Sequence, residues 1–189
     1  NNDPLLQPFS IRHVCFKNRI MSTSHACGIA EDGMPKDRYQ RYHEEKARGG
    51  LALTMFGGSS SVSGDSHWNF PLINLNNDHV ISHLQSFAQR IHAHDAKLMC
   101  QITHLGGRSD PTAGNRLPAI GPSVGRETLH RAFTKEMDQH DIGRVVKAYA
   151  DAAVRCKEGG IDGIETFSGA HLIYPGAQHT RFEHSLGVM

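Results

Sequence analysis

The sequence lacks the features that direct a chain to a membrane or to nucleic acid. No apolar run approaches the about 20 residues that a membrane-spanning helix needs. No secretory leader is visible. The net charge is only +1, so there is no electrostatic case for binding nucleic acid or an anionic surface. We therefore expect neither nucleic acid nor a membrane as a partner.

Paired cysteine motifs are also missing. The four cysteines are widely spaced, which supports neither a disulfide framework nor a zinc site. The 14 histidines invite a metal-binding hypothesis. However, His92 and His94 lie two residues apart on a predicted helix, which points them to different faces. We expect reduced thiols, as in a reducing cytoplasm, and no metal.

Two nucleotide-binding fingerprints are absent as well. No GxGxxG follows the first predicted strand, and no GxxxxGK[ST] occurs anywhere. What remains is the composition of a soluble globular domain, with 38% hydrophobic and 21% charged residues. With 189 residues the chain can form one domain with a substantial core.

Apolar runs alternate with helical patterns along the chain. We predict strands at Arg19–Thr23, Leu51–Phe56, Leu98–Gln101 and Ile161–Thr166, and helices at Lys36–Arg48, Asp78–His94 and Asp138–Glu158. A small hairpin is predicted within Leu5–Phe16. Alternation of this kind indicates an α/β fold with parallel strands. Periodicity leaves open whether the sheet is open or closed into a barrel.

Two strand ends carry residues that suit a ligand. Gln101 ends a buried strand, where a polar side chain needs a reason. Its amide has two donors and an acceptor, which match the edge of a planar heterocycle such as a flavin. Gly57 opens a glycine-serine run that lets the backbone approach a ligand closely. The alternatives are a glutamine tied to a neighbouring loop and an ordinary turn.

The order of several short motifs carries a family resemblance. The motifs are Leu6–Pro8, Lys17–Ile20, His25, Gly49–Leu51, Gln101 with His104 and Gly106, and the GGIDGIE of Gly159–Glu165. Together they resemble the Old Yellow Enzyme family of NADH:flavin oxidoreductases. The most similar branch holds trimethylamine dehydrogenase and the N-methyl amino-acid demethylases.

The resemblance implies a set of site residues. A turn after the first strand lies against the flavin, Gly57 approaches its pyrimidine end, and Gln101 hydrogen-bonds that same end. A histidine after the fourth strand handles the substrate or a proton. The implied residues are Ser24, His25, Ala26, Gly57 and Gln101 for FMN, and His171 for catalysis. Cys27 is one place beyond the position of a covalent flavin link in a relative, and His104 is interpreted as a structural anchor of the long loop after it.

The resemblance also implies the architecture and the activity. The fold is a (β/α)8 TIM barrel of which residues 1–189 supply about the first four β/α units. The activity is FMN-dependent transfer of a hydride between flavin and an enone or N-methylated amine, with NAD(P)H as a candidate electron donor. A homo-oligomer or a separate second half is a candidate partner. The alternative is a truncated, non-catalytic half-barrel that acts as a packing or interaction module.

Overall fold

A computed structural model describes residues 3–113, 116–128 and 133–166. Eight strands and three α-helices follow one another in this part of the chain. They are β1 (Phe9–Ile11), β2 (Val14–Phe16), β3 (Met21–Ser22), α1 (Asp37–Arg48), β4 (Leu53–Ser61), α2 (Val80–His92), β5 (Lys97–Thr103), β6 (Ile120–Gly121), β7 (Lys135–Glu136), α3 (Gln139–Glu158) and β8 (Gly163–Thr166).

The main sheet has four strands in the order β3-β4-β5-β8, and all neighbours are parallel. These are the four predicted strands in their sequence order, with a helix between each pair. The predicted alternation is therefore confirmed. The predicted hairpin is present as β1 and β2, which pair antiparallel. Part of the predicted long loop also forms structure, because β6 pairs with β7.

The three helices cover one face of the main sheet, which we call the helix face. Phe56 of β4 and Leu98 of β5 point into this layer, where they join Leu84 and Phe87 of α2 in the buried core. All four side chains are fully buried. Burial of side chains of this size contributes about 1.5–3 kcal/mol each relative to exposure. The helix face is therefore the hydrophobic core of the described chain.

The helices form where the sequence supplies both an apolar stripe and suitable ends. Val80, Leu84, Phe87 and Ile91 repeat at steps of three to four residues along α2 and are all buried. The Asp138 carboxylate caps α3 by accepting a hydrogen bond from the backbone N–H of Asp141. The Asp141 carboxylate in turn accepts one from the backbone N–H of Asp138, and the two bonds form a capping box.

The GGIDGIE motif joins α3 to β8, and its residues have separate structural roles. A Cβ on Gly159 would overlap the side chain of Leu84, so glycine lets α3 pack closely on α2. Gly160 has φ +75°, a left-handed conformation that glycine tolerates best. The Asp162 carboxylate accepts hydrogen bonds from the Leu98 N–H at 2.8 Å and from His92 at 2.7 Å. Most of the motif therefore fixes the amino end of the sheet.

Polar contacts also tie the amino-terminal segment to this end of the sheet. Asn18 donates to the carbonyl of Gly50 at 2.7 Å, and Lys17 donates to the carbonyl of His94 at 2.6 Å. Both carbonyls belong to the loops that lead into β4 and β5. The segment after the hairpin is thereby fixed to the turns that follow α1 and α2.

The other face of the sheet, which we call the inward face, carries the alternate residues of each strand. Met55, Met99 and Gly163 share one row of the register there. Met21, at the edge strand, is 47% exposed. In a closed barrel this face would be the interior, where side chains from all strands pack in layers.

Candidate functional site

Three predicted site segments meet at the carboxyl end of the main sheet. A Cβ on Gly58 would overlap backbone atoms of His25 and Ala26, so the turn after β3 lies directly against β4. A Cβ on Gly57 would lie 2.6 Å from the carbonyl oxygen of Gln101. The predicted residues of the first three strand ends therefore form one continuous patch.

The glycine pair sits in an irregularity of β4 rather than in a turn that ends it. The register between β4 and β5 shifts between Phe56 and Ser60, and the strand then continues. Gly57, Gly58 and Ser59 all have positive φ, at +109°, +59° and +96°. The prediction that β4 ends at Phe56 was wrong, because a bulge absorbs the extra residues and pairing resumes beyond it.

A tyrosine of α1 supports this bulge from the helix face. The Tyr39 hydroxyl accepts a hydrogen bond from the Gly57 N–H at 3.1 Å. Tyr39 is buried, and burial raises the pKa of its hydroxyl well above the ordinary value. The phenol therefore stays protonated and fixes one side of the Gly57 peptide. This contact was not predicted, because the sequence pattern indicates Tyr39 only as part of a helix.

Gln101 lies on the inward face, opposite Glu165 of β8. Its amide nitrogen donates to the Glu165 carboxylate at 2.8 Å, and the side chain is 8% exposed. Sequence reasoning singled out Gln101 and missed Glu165. The sequence contained a signal for Glu165. Like Gln101, it is the only polar residue on the inward side at the carboxyl end of its predicted strand.

The turn after β3 presents its backbone, not its histidine ring, to this patch. Ser24 and Ala26 are half-buried, whereas the His25 ring is exposed and its Nε2 lies 2.7 Å from the Tyr42 hydroxyl of α1. The edge of the Tyr42 ring also contacts the buried His43. Any role of this turn in holding a ring would therefore come from main-chain groups and from Ser24 or Ala26.

A buried polar cluster lies just beyond the strand ends. Asp65, in the loop after β4, contacts His104 at 3.0 Å and Arg144 of α3 at 2.7 Å, and also accepts from Ser63. Burial raises the pKa of Asp65, but the hydrogen bonds from these three partners outweigh it and hold the pKa well below the usual range. The cluster joins two loops to α3 and was not predicted as a unit.

His104 has the structural role that the sequence indicated. Its Nδ1 accepts from the Gly106 N–H at 3.0 Å, so its Nε2 carries the proton that faces Asp65. Its own backbone N–H donates to the Tyr149 hydroxyl at 2.7 Å. The histidine therefore anchors the start of the loop after β5.

Two further polar atoms near the strand ends have no hydrogen-bond partner among the described residues. They are the hydroxyls of Thr103, the last residue of β5, and Ser109 in the following loop, and both side chains are buried. Buried hydroxyls normally find partners. In the patch itself, the Gln101 amide, with its oxygen and second N–H, is the group that suits the edge of a polar, planar ligand.

The remaining expectations concern His171, metal ligands and membrane-spanning helices. His171 lies outside the described residues. Within residues 3–113, 116–128 and 133–166, no three His, Cys, Asp or Glu side chains stand together as metal ligands would. In the same part of the chain, no helix combines the length and apolar character needed to cross a membrane.

Residues 4–173 match the NADH:flavin oxidoreductase / NADH oxidase family. The chain belongs to this family. It is 58% identical over 173 residues to the multifunctional alkene reductase/demethylase OYE of Caballeronia cordobensis, an alignment that covers 92% of this chain and 26% of the relative. It is 45% identical to a probable N-methylproline demethylase of Rhizobium meliloti, with 91% and 25% covered. The resemblance seen in the sequence is confirmed.

Two solved structures of enzymes have a similar fold. A 2-naphthoyl-CoA reductase complex superposes with a TM-score of 0.78 at 20% identity, over 87% of this chain and 27% of that one. Morphinone reductase superposes with a TM-score of 0.77 at 18% identity, over 87% and 49%. These likenesses confirm the expected fold, a partial (β/α)8 barrel that holds the first four β/α units.

The chain spans about a quarter of the length of three curated relatives to which it is 43–58% identical. It spans 48% of an NADPH dehydrogenase of Bacillus cytotoxicus, to which it is 30% identical. The family name and the names of its members make flavin and nicotinamide the cofactors that such a barrel uses. The carboxyl end of the sheet is where barrel enzymes carry their active sites.

Proposed function

We propose that residues 1–189 are the amino-terminal part of a flavin-binding TIM barrel and that they hold FMN at the carboxyl end of the main sheet. The observation that carries the proposal is the patch formed by the turn at 24–26, the bulge at Gly57 and the Gln101 amide. The family match supports it, and so do the oxygen and second N–H of the Gln101 amide.

The chain's own residues would hold and orient the ring. Gln101 supplies a carbonyl oxygen and a remaining N–H to the pyrimidine edge. Gly57 and Gly58 keep side chains away, so that the backbone of β4 approaches closely. Ser24, His25 and Ala26 line the ring through their backbone, and His171 binds the substrate or handles a proton. Bound FMN supplies hydride transfer to or from the substrate.

For the complete protein we propose oxidation or reduction of an enone or an N-methylated amine, with NAD(P)H as a candidate electron donor. The names of the alkene reductase/demethylase and the N-methylproline demethylase support this substrate class. We place the protein in the cytoplasm and expect no nucleic-acid, membrane or metal partner. The completing half of the barrel comes from further chain, a second subunit or a homo-oligomer.

A second function has one observation in its favour. Met21, on the apolar inward face of the sheet, is 47% exposed. The same face carries Met55, which is buried, and Met99, which is half-buried. Exposed apolar surface of this kind marks a site that packs against another protein surface. A half-barrel that has lost its chemistry would persist as a packing or interaction module.

Purification of the gene product separates the two functions. We expect a yellow protein with a flavin absorption band, or a colourless one that takes up added FMN with quenching of flavin fluorescence. A colourless protein that takes up no FMN would support the packing module and contradict the flavin proposal. Heat denaturation that releases FMN into solution would show that the attachment is not covalent, as the position of Cys27 suggests.

A further inference from the structure

We propose that Glu165 is a positioning residue that fixes which end of the Gln101 amide faces a bound flavin. The inference rests on the proposed function, since it concerns the ring that Gln101 would bind. It adds a residue that sequence reasoning did not select. Glu165 is the last residue of the GGIDGIE motif, and most of that motif fixes the opposite end of the sheet.

The sheet itself brings the two side chains together. Gln101 and Glu165 are register partners on the neighbouring parallel strands β5 and β8. Their chain neighbours Cys100 and Ile164 pack in the core of the helix face, so both polar side chains lie on the inward face. The Gln101 nitrogen and the Glu165 carboxylate are 2.8 Å apart. No flexible loop is involved in this pairing.

The chemistry of the pair removes an ambiguity. An amide has a donor end and an acceptor end, and an isolated glutamine presents either one to a ligand. A carboxylate only accepts, so the nitrogen of Gln101 must face Glu165. Rotation of the amide by 180° would set its oxygen against a carboxylate oxygen. Glu165 therefore leaves one defined oxygen and one defined N–H for a ligand.

A flavin is the kind of ligand that distinguishes these two arrangements. Its pyrimidine edge alternates carbonyl acceptors with an N–H donor. A fixed amide matches this edge in one order only, whereas a freely rotating amide pays an ordering cost on binding. Glu165 therefore pre-organises Gln101 before the ring arrives.

The carboxylate also places a charge beside the ring. Among the residues that the structure describes, no Lys, Arg or His forms an ion pair with Glu165. A negative charge near the pyrimidine edge disfavours added electron density on the ring. The charge of Glu165 should therefore lower the reduction potential of bound FMN, in addition to its effect on the amide.

The test uses the full-length gene product loaded with FMN. Glu165→Gln keeps the shape of the side chain and removes its charge, and Glu165→Met removes its acceptor atoms as well. Glu136→Gln, on the exposed strand β7, is the matched control. The measurements are the two-electron reduction potential of bound FMN and the dissociation constant of oxidised FMN.

We expect Glu165→Gln to raise the potential, so that reduced FMN gains up to about tenfold in affinity relative to oxidised FMN, which is about 30 mV for a two-electron couple. Glu165→Met should raise it too and should weaken binding of oxidised FMN, since the amide is no longer held. Glu136→Gln should change neither value.

One result would overturn the inference while leaving flavin binding in place, namely a wild-type potential in both Glu165 variants. An equal loss of affinity for oxidised and reduced FMN gives this same result, and a merely structural defect would produce it. A wild-type protein that binds no FMN would instead overturn the proposed function itself.

Discussion

The two ends of the main sheet use polar residues in different ways. At the amino end, Asp162, Asn18 and Lys17 each bind a backbone group of a strand or of the loop that enters it. At the carboxyl end, the hydroxyls of Thr103 and Ser109 are buried with no partner among the described residues. Side chains at the amino end bind the backbone and hold the fold, whereas these two buried hydroxyls at the carboxyl end do not.

This difference follows the general division of labour in (β/α)8 barrels. Active sites lie at the carboxyl end, whereas conserved features at the amino end stabilise the barrel. The buried cluster around Asp65 shows that the carboxyl end also needs support of its own, because its loops are long. The comparison predicts that substitutions at the two ends separate stability from ligand binding.

The largest effect is expected where backbone segments touch at the carboxyl end. Gly58→Ala would place a Cβ into the backbone of His25 and Ala26, at a residue with φ +59°. We expect a loss of more than about 3 kcal/mol in the free energy of unfolding, from overlap and backbone strain. Denaturant unfolding would measure it.

Gly125→Ala is the matched control for that variant. A Cβ at Gly125 meets no atom within 4 Å. We expect a change within about 0.5 kcal/mol there. Equal stability of the two variants would mean that the turn and β4 are not in contact as described.

Acid should weaken the helix face before it weakens the carboxyl end. Burial, with help from Lys46 and His25, lowers the pKa of His43 to about 3. The unfolded chain binds a proton near the usual histidine value, so stability falls as pH drops below about 6.5, by up to about 1.4 kcal/mol per pH unit. Asp65, with a depressed pKa, adds its loss only below about pH 5.

Unfolding measured across pH, with His43→Phe for comparison, checks this order. We expect the variant to lose the slope between pH 6.5 and 5 and to keep the fall at lower pH. A slope that survives in the variant between pH 6.5 and 5 would assign the acid sensitivity to another group.

A substitution at the amino end should affect stability alone. Asp162→Ala leaves the Leu98 N–H and the His92 ring without their acceptor. We expect a loss of about 1–3 kcal/mol in the free energy of unfolding, the cost of an unsatisfied buried group. FMN binding, measured in the folded protein by fluorescence quenching, should stay within about twofold of wild type, since about 1.4 kcal/mol would be needed for tenfold. A tenfold loss of affinity would place the ligand at the wrong end.

Apart from the Gly125→Ala control, the smallest expected free-energy change belongs to Gln101→Ala. We expect FMN affinity to fall about tenfold, from one or two lost hydrogen bonds worth about 0.5–1.5 kcal/mol each. Its free energy of unfolding should change less than that of Asp162→Ala. The same fluorescence titration that is used for Asp162→Ala measures this affinity. An affinity equal to that of the wild type would contradict the role of Gln101.

Apolar periodicity predicted the strand order and the three helices. The family resemblance grouped His25 with Gly57 and Gln101, and the structure brings these segments together. The sequence did not predict that β4 continues past Gly57, since a glycine pair signals a turn and a bulge equally well. It also missed Glu165 and the cluster around Asp65. Those contacts depend on register and on loop packing between residues far apart in sequence, such as Asp65 and Arg144.

The most direct test of the account is an amide NMR titration of the full-length gene product with FMN. The central claim is that the ring binds at the carboxyl end of the main sheet. We predict that the amide signals of Ala26, Gly57 and Gln101 shift on binding, while those of Gly50 and Asp162 stay in place. Shifts confined to Gly50, Asp162 and their neighbours at the amino end would contradict the account.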